Sequence, residues 1–245
     1  MTNYVYQSEL VRIWDRSGER NLILGPKFDY RQGSMLLRDP NFLNLEFTRN
    51  LTYCASLPTE IRRGLILGLG AGCVPKALHK IFGPQLEIFC VDNNQEIIRA
   101  AEAFFEVKVD DYKIYEYNAE HFVALEIGKF DFICVDIWDD KSIPDFILSK
   151  GFWEEIRLRL NKNFSVCING PREKFKDLLD IFLSTFGTCF SLKAQNTCLL
   201  STNSDDFHID RERQKALSDV GVECNLMKAN MVRHISIPID SGGHT

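Results

Sequence analysis

The sequence lacks a long hydrophobic run. No apolar stretch reaches the roughly 18 residues that cross a bilayer, and the first residues, MTNYVYQSELVRIWDR, are too polar for a signal peptide. It also lacks an excess of positive charge, since 29 Lys and Arg against 34 Asp and Glu give a net charge of −5. A protein that binds nucleic acid through the phosphates needs a basic surface. We therefore expect a soluble, cytoplasmic protein that binds neither membranes nor nucleic acid.

Metal-type cysteine spacings are missing as well. None of the eight cysteines forms a C-x-x-C pair, and none clusters with histidine at the short spacings of zinc sites. Several lie within apolar runs such as IFCV, FICV and SVCI, where a free thiol acts as a small hydrophobic side chain. We predict reduced, structural thiols and no metal. The G-x-S-x-G elbow of many hydrolases and the P-loop lysine pattern are also absent, which disfavours those two classes.

What is present is the composition of a globular protein. The chain has 245 residues, of which 45% are hydrophobic and 26% are charged, as in one large domain or one domain with a small appendage. Two short strands flank Ser17-Gly18, a third stretch follows, and an apolar pattern that starts at Phe42 predicts a helix closed by Pro58. We therefore predict a small β-strand segment with a connecting helix in residues 1–57.

Residues 58–245 show strands that alternate with helices. Five predicted strands alternate with amphipathic segments, which predicts a doubly wound α/β sheet. The strands lie in GLILGLG, LEIFCVD, YKIYEYNAEHF, FDFICVDIW and FSVCING. TCFSL and NTCLLST are separated by only a few residues, so we predict that they form an antiparallel closing pair. The C-terminal residues beyond them contain a predicted helix, IDRERQKAL, and a tail that the pattern does not place.

Candidate site residues stand at the ends of these strands, because ligands of open α/β sheets bind outside the carboxyl ends. Gly68, Gly70 and Gly72, with Ala71 among them, follow the first strand and open a helix. Because glycine has no Cβ, a ligand can approach the backbone there. The alternative interpretation is a tight strand–helix turn without a ligand, which needs the same residues. Asp92 ends the second strand, where a carboxylate accepts hydrogen bonds from both ribose hydroxyls or is simply a surface residue.

The next two strand ends are polar too. Asn118-Ala119 follows the third strand, and its Asn either contacts an adenine or forms an ordinary turn. The fourth strand ends in Asp136, which would hold an amine nucleophile or accept its proton. Asp139 and Asp140 follow and add negative potential that attracts cations. A solvated acidic loop is the alternative interpretation of this segment.

Four of these motifs resemble those of a known family. LILGLGAG, FCVDNN, YNAEHF and FDFICVDIWDD, in this order and spacing, resemble the nucleotide-binding motifs of class I S-adenosylmethionine-dependent methyltransferases and, more narrowly, of the spermidine synthase family (polyamine aminopropyltransferases). LILGPKFDYRQGSML is similar to the N-terminal β segment of that family. The resemblance spans about residues 8–200. It implies a Rossmann-like fold with a seven-stranded sheet whose last hairpin is antiparallel, a nucleoside-binding catalytic domain over residues 58–245, and often a homodimer.

Carried over to this chain, the resemblance assigns roles to individual residues. Those expected to contact the donor nucleoside are Gly68, Gly70, Ala71, Gly72, Asp92, Asn93, Asn118, Ala119 and Asp136. Asp136 and Asp139 fall on the two catalytic acids of the family. Gln32 matches a pocket glutamine of the family's N-terminal segment and is expected to bind the acceptor. By their place in the acidic segment after the fourth strand, Trp138 and Asp140 are expected to bind it too, with simple packing as the alternative role of Trp138. The implied donor is S-adenosylmethionine or its decarboxylated form, with no metal.

Several positions depart from the family's pattern, among them Asn118, where the family usually has Asp beside the adenine. Spermidine synthases carry an Asp in the glycine turn that holds the aminopropyl ammonium group and repels the carboxylate of ordinary S-adenosylmethionine. In this chain that position is Ala71. Phe47-Thr48 replaces a Tyr-Gln pair that helps to hold putrescine, and Asp140 replaces a proline. The nucleoside-binding groups are therefore largely kept, whereas groups that define polyamine recognition are missing.

These departures favour the transfer of a methyl group from S-adenosylmethionine to an amine or a similar nucleophile. Two alternatives stay open. The first is aminopropyl transfer from the decarboxylated donor, which would release methylthioadenosine. The second is a non-catalytic binding protein that retains the fold, which would be favoured if neither donor binds.

Overall fold

Two β-sheets form the framework of the protein. The computed structural model describes residues 3–25, 31–139, 142–192, 196–203 and 207–235. The N-terminal sheet is an antiparallel meander in the order β1-β2-β3-β4. Its strands are β1 (Asn3–Gln7), β2 (Val11–Arg16), β3 (Glu19–Leu24) and β4 (Gly33–Leu36).

The predicted hairpin in this sheet is confirmed. Ser17 and Gly18, with φ angles of 54° and 80°, join β2 to β3, as expected for a two-residue turn that requires positive φ. The sequence pattern does not predict β1, an edge strand that pairs only with β2. Residues 26–30, which belong to the motif LILGPKFDYRQGSML, lie outside the described residues.

The second sheet is the larger one, and its mostly parallel strands confirm the predicted fold class, although it has eight strands and not the expected seven. In the order β12-β10-β11-β9-β8-β5-β6-β7, the strands from β9 to β7 are parallel, and β10, β11 and β12 are antiparallel to their neighbours. The strands are β5 (Arg63–Leu67), β6 (Glu87–Asp92), β7 (Lys113–Glu116), β8 (Phe130–Val135), β9 (Leu160–Gly170), β10 (Thr188–Leu192), β11 (Thr197–Thr202) and β12 (Met231–Ile235). The additional strand, β12, lies in the C-terminal tail, for which the hydrophobic pattern predicts no secondary structure.

Helices cover both faces of this sheet. The helices are α1 (Glu46–Ala55), α2 (Cys73–Phe82), α3 (Gln95–Phe104), α4 (Ala119–Ala124), α5 (Lys150–Leu158), α6 (Phe175–Phe186), α7 (Arg211–Asp219) and α8 (Cys224–Ala229). On one face, α1, α2, α3, α7 and α8 share a hydrophobic core with the N-terminal sheet. On the other face, α4, α5 and α6 form a second core. The resulting three layers are the doubly wound arrangement that alternating strands and helices favour.

Helix α1 begins later than the apolar pattern predicts. The backbone N–H groups of Phe42 and Leu43 donate to the carbonyls of Asp39 and Val220 instead of continuing a helix. From Glu46 onward the helix packs against β8, β9 and β11 of the larger sheet. The N-terminal segment is therefore joined to the larger sheet by direct packing.

The C-terminal residues pack on this same side of the molecule. Helix α7 contacts α2, and α8 contacts α1. Arg213 of α7 donates hydrogen bonds to the carbonyls of Ser56, Pro58 and Thr59, just beyond the end of α1. The described part of the C-terminal segment, residues 207–235, thus supports α1 and α2 and adds β12 to the sheet edge.

The thiols behave as the apolar runs around them predict. Seven of the eight free cysteines are buried, and Cys224 is half-buried. Within the described ranges, no three His, Cys, Asp or Glu side chains are grouped so as to hold a metal ion. Among the same residues, no helix combines the length and apolar character needed to cross a membrane.

Candidate functional site

A cavity of about 270 Å³ opens at the carboxyl ends of the parallel strands. It lies where β5, β6 and β8 end, which is the position predicted for the ligand of an open α/β sheet. The sequence-predicted residues that line it are Gln32, Gly68, Gly70, Asp92, Asn93, Asn118, Ala119, Asp136, Trp138 and Asp139. Residues that are far apart in the sequence therefore meet at one site.

Two predicted site residues are placed outside this cavity, and a third is not described. Ala71 lines a second, much smaller cavity that shares Gln32 and Asp136 with the first. Gly72, at the start of α2, has a φ of 65°, and a Cβ there would overlap the side chain of Val107. Its role in the described structure is thus to permit a tight turn. Asp140 lies outside the described residues.

The glycine turn after β5 is packed against the end of β8. Gly68 has a φ of 96°, and a Cβ at this position would overlap the backbone carbonyl of Asp136. Only glycine combines this backbone conformation with such a close approach. The turn therefore brings its own backbone and the Asp136 backbone to the same wall of the cavity.

Asp92 holds the opposite side of the turn in place. Its carboxylate accepts hydrogen bonds from the backbone N–H groups of Leu69, at 3.0 Å, and of Asn94, also at 3.0 Å. The side chain is only 9% exposed. Burial raises the pKa of this carboxyl, and the backbone N–H groups of Leu69, Asn94 and Gly70 partly offset that rise. Asp92 is thus a fixed acceptor in the cavity wall, as a ribose-binding carboxylate must be.

Asn118 has a structural role in addition to its place at the cavity. Its side-chain oxygen accepts the backbone N–H of His121 at 3.1 Å and so caps the N-terminus of α4. The ordinary turn role, one of the two roles that the sequence analysis allows for Asn118, is therefore observed. The amide still lines the cavity beside Ala119 and Tyr117, so capping orients the side chain without removing it from the site.

Asp136, directly after β8, has a strongly perturbed carboxyl group. Its side chain reaches the cavity wall but is densely surrounded by protein atoms, and desolvation raises its pKa from 3.8 to about 6. Hydrogen bonds from Asn169 and Trp138 act in the opposite direction. The Asn169 Nδ2 lies 2.8 Å from the Asp136 Oδ1. A carboxyl with a pKa near 6 can both accept and return a proton close to neutral pH.

The cavity is negatively charged. Asp92, Asp136 and Asp139 contribute carboxyl groups to its lining, and no Lys, Arg or His from the described residues does so. Asp139 is exposed, and its backbone N–H donates to the Ser142 carbonyl at 2.8 Å. Carboxylates gathered in a cleft attract cations. The site therefore suits a positively charged ligand.

The sequence interpretation missed Asn169 and Gly33, besides lining residues such as Tyr117 and Phe146. Asn169 lies near the end of β9 and bonds to Asp136. Gly33 begins β4, and a Cβ there would overlap the Cβ of Ala71. The strand-end rule that identifies Asp92 and Asp136 applies equally to the Asn-Gly pair that closes FSVCING, so Asn169 could have been found. Nothing in the local sequence indicates the contact of Gly33 with Ala71.

Sequence comparison identifies polyamine aminopropyltransferases as relatives, whereas no protein-family model matches the chain. The chain is 26% identical over 203 residues to a probable polyamine aminopropyl transferase of Bifidobacterium longum, which covers 79% of this chain and 44% of the relative. It is 29% identical over 153 residues to a polyamine aminopropyltransferase of Chromobacterium violaceum, covering 62% of this chain and 58% of the relative. The chain thus spans about half the length of the curated relatives it matches.

Structural comparison finds the same fold in solved structures. Spermidine synthase from Thermotoga maritima superposes with a TM-score of 0.72 at 14% identity, over 96% of this chain and 85% of that chain. Human methyltransferase-like protein 13 in complex with SAH gives 0.56 at 18% identity, over 70% of this chain and 87% of that chain.

Together these comparisons confirm the resemblance to the spermidine synthase family and the Rossmann-like fold. The names of the curated relatives support the aminopropyl alternative. They give no support to the expectation of methyl transfer.

Proposed function

We propose that this chain transfers an aminopropyl group from decarboxylated S-adenosylmethionine to an amine. The observation that carries the proposal is the placement of Asp92 and Asp136 in one acidic cavity, on either side of the glycine turn. Both the sulfonium donor and an ammonium acceptor are cations, so three carboxyl groups in the cavity lining favour both substrates. The relatives named polyamine aminopropyltransferases suggest which alkyl group is moved.

The donor nucleoside would occupy the cavity between the ends of β5 and β7. In this arrangement Asp92 accepts hydrogen bonds from the ribose hydroxyls, and its two backbone bonds keep the carboxylate aimed at them. Gly68 and Gly70 offer a backbone without Cβ atoms beside the sulfonium end. Asn93, Asn118 and Ala119 line the part of the cavity where the base would lie.

Asp136 would act on the acceptor amine. The reacting nitrogen attacks in its neutral amine form at the aminopropyl carbon bonded to the sulfonium sulfur, so that a C–N bond forms, the C–S bond breaks, and methylthioadenosine leaves as a neutral thioether. Because the sulfonium already activates the carbon, the protein mainly aligns the nucleophile and the leaving group. The proton lost by the amine passes to the Asp136 carboxylate, whose pKa of about 6 leaves it mostly ionised near neutral pH. Asp139, Gln32 and Trp138 would contact the acceptor at the mouth of the cavity.

A second candidate function, methyl transfer from ordinary S-adenosylmethionine, is favoured by one specific observation. Ala71 stands where the resemblance implies an acid that would repel the donor carboxylate. The small cavity beside Ala71 is walled largely by apolar side chains such as Phe47, Leu51 and Val74. In that region the described structure provides little to bind an aminopropyl ammonium group apart from Asp136.

Calorimetry with each donor, followed by product analysis, separates these candidates. Tighter binding of the decarboxylated donor, together with methylthioadenosine formed in the presence of putrescine, would support aminopropyl transfer. Tighter binding of S-adenosylmethionine and release of S-adenosylhomocysteine would replace it with methyl transfer. Binding of neither donor would contradict both and favour a non-catalytic protein. Asp136→Ala should lower turnover by at least about tenfold, and by more than it weakens donor binding, because it removes the proton acceptor.

A further inference from the structure

Asn169 is the one polar side chain of β9 that bonds to the Asp136 carboxylate. The register pairs Val135 with Ile168 on the neighbouring parallel strands β8 and β9, so Asp136 and Asn169 are the next residues along each strand. Asn169 is only 2% exposed. Its Nδ2 donates to the Asp136 Oδ1 at 2.8 Å, which is a normal length for a charge-assisted hydrogen bond. The Asn169 side chain is therefore held by the two strands and not by a mobile loop.

We propose that Asn169 is a positioning residue that holds the Asp136 carboxyl group in both of its protonation states. In the structure Asn169 acts as a donor, as an ionised carboxylate requires. The other half of its amide, Oδ1, is buried and has no hydrogen-bond partner among the described residues. A rotation of the amide by half a turn would exchange the bond from Nδ2 for one in which the Asn169 Oδ1 accepts from the protonated carboxyl group.

This arrangement has a consequence for proton transfer. The turn exchanges one hydrogen bond for another, so Asp136 keeps a partner when it is protonated, and its protonation costs less than it would beside a fixed donor. When Asp136 receives the proton of the acceptor amine, the Oδ1 of Asn169 would accept the new O–H. The direction of this proton movement rests on the proposed function, whereas the bond between Asn169 and Asp136 does not.

The other groups around Asp136 are not changed by substitution at position 169. Those with titratable side chains in the walls of its two cavities are Asp92 from β6, Tyr117 after β7, Asp139 from the following loop and Cys73 from α2. The glycine turn, α1 and the N-terminal segment contribute neutral residues to the same walls. A change in the titration of Asp136 on removal of Asn169 is therefore attributable to the lost amide.

The test is an NMR titration of the Asp136 carboxyl carbon in the protein without substrates, with Asp136→Asn to assign the signal. Asn169→Ala should move the midpoint upward by about one pH unit, because the charge-assisted bond to the ionised form is stronger than the neutral bond to the protonated form, and both are lost. In the wild-type protein the side-chain NH₂ signal of Asn169 should titrate with the same midpoint as Asp136, and Asp136→Asn should abolish that titration. This second measurement needs no variant at position 169 and stands even if Asn169→Ala folds poorly.

A matched control lies on the same two strands. Asn161 of β9 donates to the Asp131 carboxylate of β8 at 2.6 Å, at the opposite end of the sheet from the cavity. Asn161→Ala should leave the Asp136 midpoint unchanged. An unchanged midpoint in Asn169→Ala, or an equal shift in both variants, would overturn the proposal. If the midpoint shifts as expected but no donor is turned over, the role of Asn169 stands and the proposed alkyl transfer fails.

Discussion

Gly33 and Ala71 are packed so closely that only one of them can carry a Cβ. A Cβ built on Gly33 would overlap the Ala71 Cβ and lie 3.3 Å from the Ala71 backbone nitrogen. This contact joins the first residue of β4 to the glycine turn of the candidate site. The N-terminal sheet thus determines how much space is left beside the turn.

Gly33→Ala should destabilise the protein by about 1–3 kcal/mol, because the added methyl group overpacks this contact. In the double variant with Ala71→Gly the overlap disappears, and the remaining contacts at 3.3 and 3.4 Å are tight but tolerable. Most of the lost stability should therefore return. Urea unfolding of the two single variants and the double variant measures the coupling. Additive losses would show that the two residues do not compete for the same space.

Ala71→Asp should shift donor preference towards decarboxylated S-adenosylmethionine by at least about tenfold. A carboxylate at this position would repel the donor carboxylate by roughly 4 kcal/mol at a separation of about 4 Å and an effective dielectric near 20. Calorimetry with both donors gives the ratio of affinities. Ala71→Asn is the matched control, since it has nearly the same size without the charge. Equal ratios in both variants would mean that size, and not charge, sets the preference.

Asp136→Asn should stabilise the protein at neutral pH. The pKa of this carboxyl is raised from 3.8 to about 6 by desolvation, so the folded state binds its proton more tightly than the unfolded chain does. Ionised Asp136 therefore opposes folding above pH 6, and this cost fades as the pH falls from about 6 to 3.8. We expect a gain on the order of 1–3 kcal/mol at about pH 7.5 and a smaller gain at about pH 5. Urea unfolding at both values checks this, and a gain that grows on acidification would contradict the raised pKa.

Arg213→Ala should lower stability without changing donor binding. Its guanidinium donates to the carbonyls of Ser56 at 3.1 Å, Pro58 at 2.8 Å and Thr59 at 2.9 Å. Loss of these bonds should cost about 1–3 kcal/mol. Thermal unfolding with and without methylthioadenosine measures both effects. The exposed Arg211 on the same helix provides the control, and an equal loss in Arg211→Ala would point to a general effect of charge.

Much of the framework follows from local patterns in the sequence. Apolar runs that end in Gly68, Asp92 and Asp136 predict parallel strands with polar residues at their carboxyl ends. Because such ends meet at one edge of a sheet, the sequence also predicts that these residues lie together, and they do. The strand β12, by contrast, has a mixed sequence, MVRHI, that carries no clear period, and it becomes a strand by pairing with β10.

The sequence by itself therefore determined the order of strands and helices, the resemblance to a nucleoside-binding family and most residues of the cavity. Each of these inferences rests on the local periodicity of hydrophobic residues or on the residues at the end of a strand. Only the tertiary structure decided that Asn169 bonds to Asp136, that Gly33 leaves room for the Ala71 Cβ, and that burial raises the pKa of Asp136. Hydrogen bonds, steric overlap and desolvation depend on which distant residues come together, and no local pattern records that.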